Sequence, residues 1–249
     1  MFYDDVPPWL VSLRLKQTNR HFCSGSLISH YFIISVAECV AAIVADHQLP
    51  ADIMAIVGTE NLFIGGGGYD INDVFIHPEF YGHEQRDNSN LALFQARAPI
   101  LFTAGVHPIA LESDCTSDYE ELVMLGWGFL AKNGFSWKFG VIRRPLITLQ
   151  REICALHTSQ GITGRQLCTY FTSIATSKCI ETPGNAIVGL KSSHLVAISS
   201  KTDSCNIRYP ATNTRIAAHI GWISKIIRIN EPQIVNMTQT STLVAKTPK

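Results

Sequence analysis

The sequence has no long hydrophobic run, no net charge and no closely spaced pair of cysteines, and each absence excludes a class of protein. No apolar stretch approaches the roughly 18 residues that a membrane-spanning helix needs, so no membrane partner is expected. The 20 basic and 20 acidic residues cancel to a formal net charge of +0. No global field therefore draws the chain to nucleic acid or to an anionic surface. The seven cysteines include no Cys-x-x-Cys pair, which argues against a structural zinc site. The opening MFYDDVPPWLVSL lacks the charged-then-apolar order of a signal peptide. The GGGG run at 65–68 is followed by neither Lys-Ser/Thr nor a helix signal, so it predicts a hairpin turn in place of a phosphate cradle.

What is present is apolar and segmented. At 249 residues, 46% hydrophobic and 16% charged, the chain can bury a full core. Runs rich in Val, Ile, Leu, Phe and Tyr recur at 9–15, 21–28, 31–36, 53–57, 70–76, 90–94, 122–127, 146–149, 185–190 and 194–199. Bounded by turn residues, they read as strands. Strand follows strand with little room for crossover helices, which gives an all-β chain built as antiparallel barrels or a sandwich. Two helices are expected. One is a short turn at 149–156; the other covers 217–227, where Ile220, Ile223, Ile226 and Ile227 share a face. Residues 230–249 mix Pro, Thr, Ser and Gln without periodicity and read as a disordered tail.

The cysteines could be buried thiols, metal ligands or disulfides, and their spacing favours an oxidising, extracellular compartment. His21, His47, His77 and His83 show no ligand spacing. No metal and no cofactor are expected.

Six segments occur in one order: HFCSGSLISHYFIISVAEC (21–39), FIHPEF (75–80), RDNSNLALF (86–94), LGWG (125–128), QLC (166–168) to KC (178–179), and HIGWISKII (219–227). Together they resemble the secreted trypsin- and chymotrypsin-like serine proteases from Pro8 to Ile227. The resemblance implies two packed antiparallel six-stranded β-barrels closed by a C-terminal helix, filling a domain at 1–229. It also implies bridges Cys23–Cys39, Cys154–Cys168 and Cys179–Cys205. A further family bridge would fall at Leu122 and Gly189, where both halves are missing. Cys115 is left over and is expected to be a buried thiol, with a disulfide to a partner molecule as the alternative.

Amide hydrolysis by this family's route needs a hydroxyl nucleophile, an imidazole base and a carboxylate that orients the imidazole. The resemblance puts Glu38, Asn90 and Pro183 at those positions. Glu38 is a weak base at neutral pH, and Asn90 has no imidazole to hold. The pattern Cys-x-Gly-Asp-Ser-Gly-Gly-Pro becomes Cys179-Ile180-Glu181-Thr182-Pro183-Gly184-Asn185-Ala186. Proline has neither a hydroxyl nor a backbone N–H. It removes the nucleophile and also one of the two amides that would stabilise the oxyanion, a donor worth roughly 3 to 4 kcal/mol.

The family's activating ion pair joins a freed N-terminal Ile or Val to the aspartate before the serine. Here that aspartate is Thr182, and no Ile-Val-Gly-Gly precedes Pro8. Thr182 as a substitute nucleophile is disfavoured, because its family position points away from the cleft. The resemblance sets Ser177 at the base of the specificity pocket, Thr202 and Ala211 in place of glycines on its walls, and Lys201 in place of a flanking tryptophan. The added atoms are expected to fill the slot. Glu60-Asn61 is similar to a calcium loop, but the glycine-rich span to His77 is short, so no calcium is expected. Asn236-Met237-Thr238 is a glycosylation sequon.

The expectation is thus a secreted, non-catalytic homologue whose partner is another extracellular protein, as cofactor or decoy in a proteolytic cascade. The alternatives are a residual hydrolase using displaced residues and a structural or adhesive protein linked through Cys115.

Overall fold

A computed structural model describes residues 6–45, 50–82, 89–132, 136–157, 162–172, 179–200 and 209–232. The first half of the chain folds as β1 (Leu10–Leu15), β2 (Arg20–Leu27), β3 (Phe32–Ser35), α1 (Ala37–Ala45), β4 (Ile53–Val57), β5 (Gly67–Ile76) and β6 (Ala92–Ala96). These strands close a barrel in the order β1-β2-β3-β6-β5-β4. The second half supplies β7 (Glu121–Lys132), β8 (Ser136–Thr148), α2 (Arg151–Ala155), β9 (Gln166–Phe171), β10 (Cys179–Glu181), β11 (Ala186–Gly189), β12 (Leu195–Ser199), β13 (Ala211–Arg215) and α3 (Ile220–Asn230). The order β7-β11-β12-β13-β9-β8 closes through the β7–β8 pairing into a second six-stranded barrel, with β10 laid against the far end of β7. Among the described residues closure leaves neither six-stranded barrel a free edge, and β10 pairs on one side only, with β7.

The near-continuous apolar runs have a physical cause. Side chains alternate between faces along a strand, and in the second barrel both faces are buried. Leu122 and Met124 of β7 point into that barrel's own core with Ile142, Leu146, Leu167, Phe171 and Ile187. Val123, Leu125 and Trp127 point the other way, into a larger cluster shared with the first barrel and with Ile223 of α3. Apolar burial at about 25 cal/mol per Å² makes this shared layer the main force holding the barrels together.

The C-terminal helix falls where it was expected. A 3-10 turn at Ala217–His219 leads into α3, in which Ile223 is buried and Ile220, Ile226 and Ile227 are partly buried. The glycine run also turns a hairpin: Gly65 and Gly66 take φ of +77° and +81°, and Gly67 pairs with Val57.

Three expectations need correction. The first is the helix count, because α1 is a third α-helix of nine residues. Ala37, Val40 and Ile43 are buried on its inner face and Cys39 ties its first turn to β2. Over so short a span an AECVAAIVA periodicity cannot be told from a continuing apolar run. The second is the strand list, which lacked β9, β10, β13 and most of β8. Strand β13, ATNTR, is polar and becomes a strand because β12 and β9 pair with it from both sides. The third is Cys115, which is an exposed free thiol and not a buried one. Its neighbours, Glu112-Ser113-Asp114 and Thr116-Ser117-Asp118, give it no apolar surface to hide against.

Disulfides Cys23–Cys39 and Cys154–Cys168 are present, with sequence separations of 16 and 14. Loops of that size stabilise by about 3 kcal/mol each through restriction of the unfolded chain. The Cys179–Cys205 pairing and Asn236 lie outside the described residues.

Candidate functional site

The segment Thr182-Pro183-Gly184-Asn185 crosses from β10 to β11 at the seam between the barrels, and hydrogen bonds hold it at every residue. The Pro183 carbonyl accepts the Ser24 N–H of β2 at 2.9 Å, and the Gly184 N–H donates to the Ser199 carbonyl at 2.9 Å. Gly184 has φ +86°, and a Cβ there would run into the Ser24 carbonyl and the Ser35 hydroxyl. Only glycine fits so close a crossing of two backbones.

Asn185 is fully buried, and its amide reaches across the same seam. Ser24 Oγ donates to Asn185 Oδ1 at 2.6 Å, and Asn185 Nδ2 donates to the Trp127 carbonyl at 3.2 Å. This side chain lies over Gly126, where a Cβ would overlap it. The absence of a side chain at Gly126 is therefore what leaves room for Asn185.

Thr182 ends a chain of hydrogen bonds. Arg14 Nε donates to Ser12 Oγ at 2.9 Å, and Ser12 Oγ lies 2.9 Å from His21 Nδ1. Ser12 thus lies against Nδ1 of His21 and leaves Nε2 as the ring nitrogen that faces Thr182. That nitrogen is 3.4 Å from Thr182 Oγ1, which donates onward to the Trp127 carbonyl at 2.8 Å. Burial, and then the Arg14 charge, push the His21 pKa down to about 3, so the ring is neutral. A threonine hydroxyl can both accept and donate here, whereas a carboxylate only accepts.

Glu38 and Asn90 meet at the other side of the seam. Glu38 lies in the first turn of α1 and Asn90 just before β6, and both are buried. The Glu38 N–H donates to Asn90 Oδ1 at 3.0 Å, which fixes the amide orientation, and Asn90 Nδ2 then donates to Ser200 Oγ at 3.0 Å. The Asn90 carbonyl accepts from Thr214 Oγ1 at 3.1 Å. Asn90 thus bridges α1 of the first barrel to β12 and β13 of the second. An aspartate would have no hydrogen to give Ser200, although the serine could donate instead. The adjacent Ser199 carbonyl holds the Gly184 N–H, so the segments of Glu38, Asn90 and Pro183 share one scaffold.

Glu181 occupies the glycine position of the quoted pattern and was not singled out from the sequence. Its carboxylate is buried and lies 4.0 Å from Arg144 Nη1 of β8. The Arg144 guanidinium in turn stacks 3.9 Å from the Phe171 ring centroid. Burial raises the Glu181 pKa to about 7 against the opposing pull of Arg144. The replacement of glycine by glutamate was visible in the sequence; its arginine partner, 37 positions earlier, was not. Ser12, His21, Ser24 and Asn185 were likewise missed as parts of the site.

Of the specificity-pocket equivalents, Ser177 and Thr202 lie outside the described residues, as does Lys201. Ala211 opens β13, half-buried and paired with Thr169. His47 and His83 are also outside. Among the described residues no group of three or more His, Cys, Asp and Glu side chains is placed to hold a metal. Among them, too, no helix is long and apolar enough to cross a membrane.

The trypsin family model matches residues 3–223. The chain belongs to the trypsin family. Relatives include the ovochymase of Halocynthia roretzi, 26% identical over 87% of this chain and 14% of the ovochymase. Trypsin II-P29 of Gallus gallus is 24% identical over 88% of this chain and 84% of that trypsin. The trypsin of Sus scrofa is 24% identical over 90% and 91%. Neuropsin, a serine protease expressed in the limbic system of mouse brain, superposes with a TM-score of 0.74 at 18% identity, covering 89% of this chain and 95% of its own. Kallikrein-related peptidase 10 gives 0.69 at 20% identity, covering 90% and 97%. These superpositions establish the trypsin fold.

Proposed function

We propose that this member of the trypsin family does not catalyse and works by binding another extracellular protein, as a cofactor or decoy in a proteolytic cascade. The observation that carries the reading is Pro183, which stands where the family's nucleophile belongs and offers no hydroxyl. The surroundings agree with it. Asn90 is committed to the Glu38 backbone and to Ser200. The Thr182 hydroxyl is committed to the Trp127 carbonyl, which speaks against a displaced nucleophile. The two disulfides and the trypsin relatives support secretion. The Cys179–Cys205 bridge and glycosylation at Asn236 belong to the same proposal.

The purified, oxidised protein is expected to hydrolyse no chromogenic peptide or ester and to take up no serine-directed phosphonate. Label recovered on Thr182 would overturn the proposal in favour of a residual hydrolase.

The exposed Cys115 favours a second reading, a structural or adhesive protein joined to a partner by a disulfide. The native protein is expected to take up maleimide at Cys115 only after mild reduction if that reading holds, and without reduction if the thiol is free. Peptide mapping of the labelled protein decides between them.

A further inference from the structure

Helix α3 meets the first barrel at a pair of buried histidines. His77 follows β5, and His219 ends the 3-10 turn before α3. Their ring centroids are 5.0 Å apart with the planes at 88°, and His77 is also 4.9 Å from the Trp222 ring of α3. The two residues are 8% and 2% exposed. Their hydrogen bonds fix the protons. His77 Nδ1 accepts the Glu79 N–H at 3.2 Å, so its proton sits on Nε2. His219 Nδ1 is 2.7 Å from the Arg215 carbonyl, which can only accept, so its proton sits on Nδ1. His219 Nε2 is then a bare lone pair, buried and without a hydrogen bond among the described residues.

Each partner therefore selects the neutral ring. A second proton on His77 would face the Glu79 N–H. A second proton on His219 would put a charge on a buried nitrogen that has no acceptor. Both together would set two cations on adjoining rings.

Among the described residues, the charged groups acting on the pair are Glu79, beside His77, and Arg165, just ahead of β9 in the second barrel. They pair with each other at 2.5 Å, and Arg165 also reaches Ser89 Oγ at 3.5 Å, so their opposed influences partly cancel. Trp222 of α3 and the Arg215 carbonyl at the end of β13 also lie against the pair, and neither is charged.

We propose that His77 and His219 form a pH-responsive latch, closed while both rings are neutral and opening to free α3 from the first barrel when acid protonates the pair. Opening would uncover the apolar seat of Ile223, which is 1% exposed when closed. Burial first, and His219 second, hold the His77 pKa down to about 4, while burial leads in lowering that of His219. An imidazole in the unfolded chain titrates at about 6.5. Between those values the released state binds protons that the closed state refuses, so stability rises with pH. The latch is fully held above about 6.5 and weakens as pH falls toward 4.

Amide hydrogen exchange on the full chain at pH 7.5 and 5.0, corrected for the intrinsic pH dependence of exchange, tests this. Protection of residues 220–230 is expected to fall roughly tenfold or more at the lower pH while β1 stays protected. In His219→Phe or His77→Gln the fall should be much smaller, the glutamine keeping an acceptor for the Glu79 N–H. Protection of α3 that ignores pH, that falls together with β1, or that falls equally in a folded variant overturns the latch. The comparison of α3 with β1 needs only the unaltered protein.

Discussion

Pro183→Ser alone is expected to give a protein that hydrolyses no chromogenic peptide or ester. The substitution returns a hydroxyl and a backbone N–H, but the groups that would activate the hydroxyl are still missing. Glu38 is no imidazole, and Asn90 is spent on the Glu38 N–H and on Ser200 Oγ, 3.0 Å from each. Nucleophile and base act as a unit, so losing either costs about as much as losing all, on the order of 10⁶ in kcat. Repairing one position therefore recovers almost nothing. Release of p-nitrophenol from an ester at micromolar enzyme should match the unsubstituted protein. A burst or a turnover rate about 10³ above it would mean that another residue supplies the base, and the non-catalytic reading would fail.

Gly184→Ala has the largest expected effect on stability. Position 184 sits at φ +86°, where an L side chain is strained, and the added Cβ would meet the Ser24 carbonyl and the Ser35 hydroxyl. Neither can move freely: the Ser24 carbonyl accepts the Ser35 hydroxyl at 2.7 Å, and both residues lie in strands of the closed first barrel. Backbone strain of about 1–3 kcal/mol adds to an overpacking cost of similar size. At roughly 2–4 °C per kcal/mol for a chain of this size, thermal unfolding should move down by on the order of 10 °C. Gly140→Ala is the control, since nothing lies within 4 Å of a Cβ there and its φ is not positive. If both substitutions shift the transition equally, the close crossing at Gly184 does not hold the barrels together.

Much of the fold was legible because its strands repeat. Val, Ile, Leu and Phe runs between turn residues marked β1 to β7, β11 and β12; most of these are buried on both faces and write that burial into their own sequence, whereas β5 is largely exposed. Strand β13 did not, because ATNTR is ordered by ladders to β12 and β9 and not by its own composition. Helix α1 escaped for the opposite reason: all of AECVAAIVA except Glu38 is apolar or small, so no period stood out. The thiol of Cys115 was misplaced because cysteine as a type is usually buried, whereas its polar neighbours leave it in solvent.

The sequence by itself determined that residue 183 is a proline, with neither hydroxyl nor backbone N–H, because the identity of an atom set does not depend on folding. It also gave an antiparallel all-β chain from its apolar runs, while the two barrels and the expectations for Glu38, Asn90 and Thr182 came from the family resemblance. Only the tertiary structure decided what the replacements do. Arg14, Ser12 and His21 lie together in the β1–β2 hairpin, but Thr182 is 161 positions from His21, and only the packing of the barrels brings it to that group. Strand pairing around β7 in the second barrel sets Asn185 over Gly126 and Glu181 beside Arg144, and docking of the C-terminal segment on the first barrel sets His77 against His219. Hydrogen bonds and ring contacts act over a few ångströms. A linear sequence specifies which groups exist, and the packing of one barrel on the other decides which of them come within that reach.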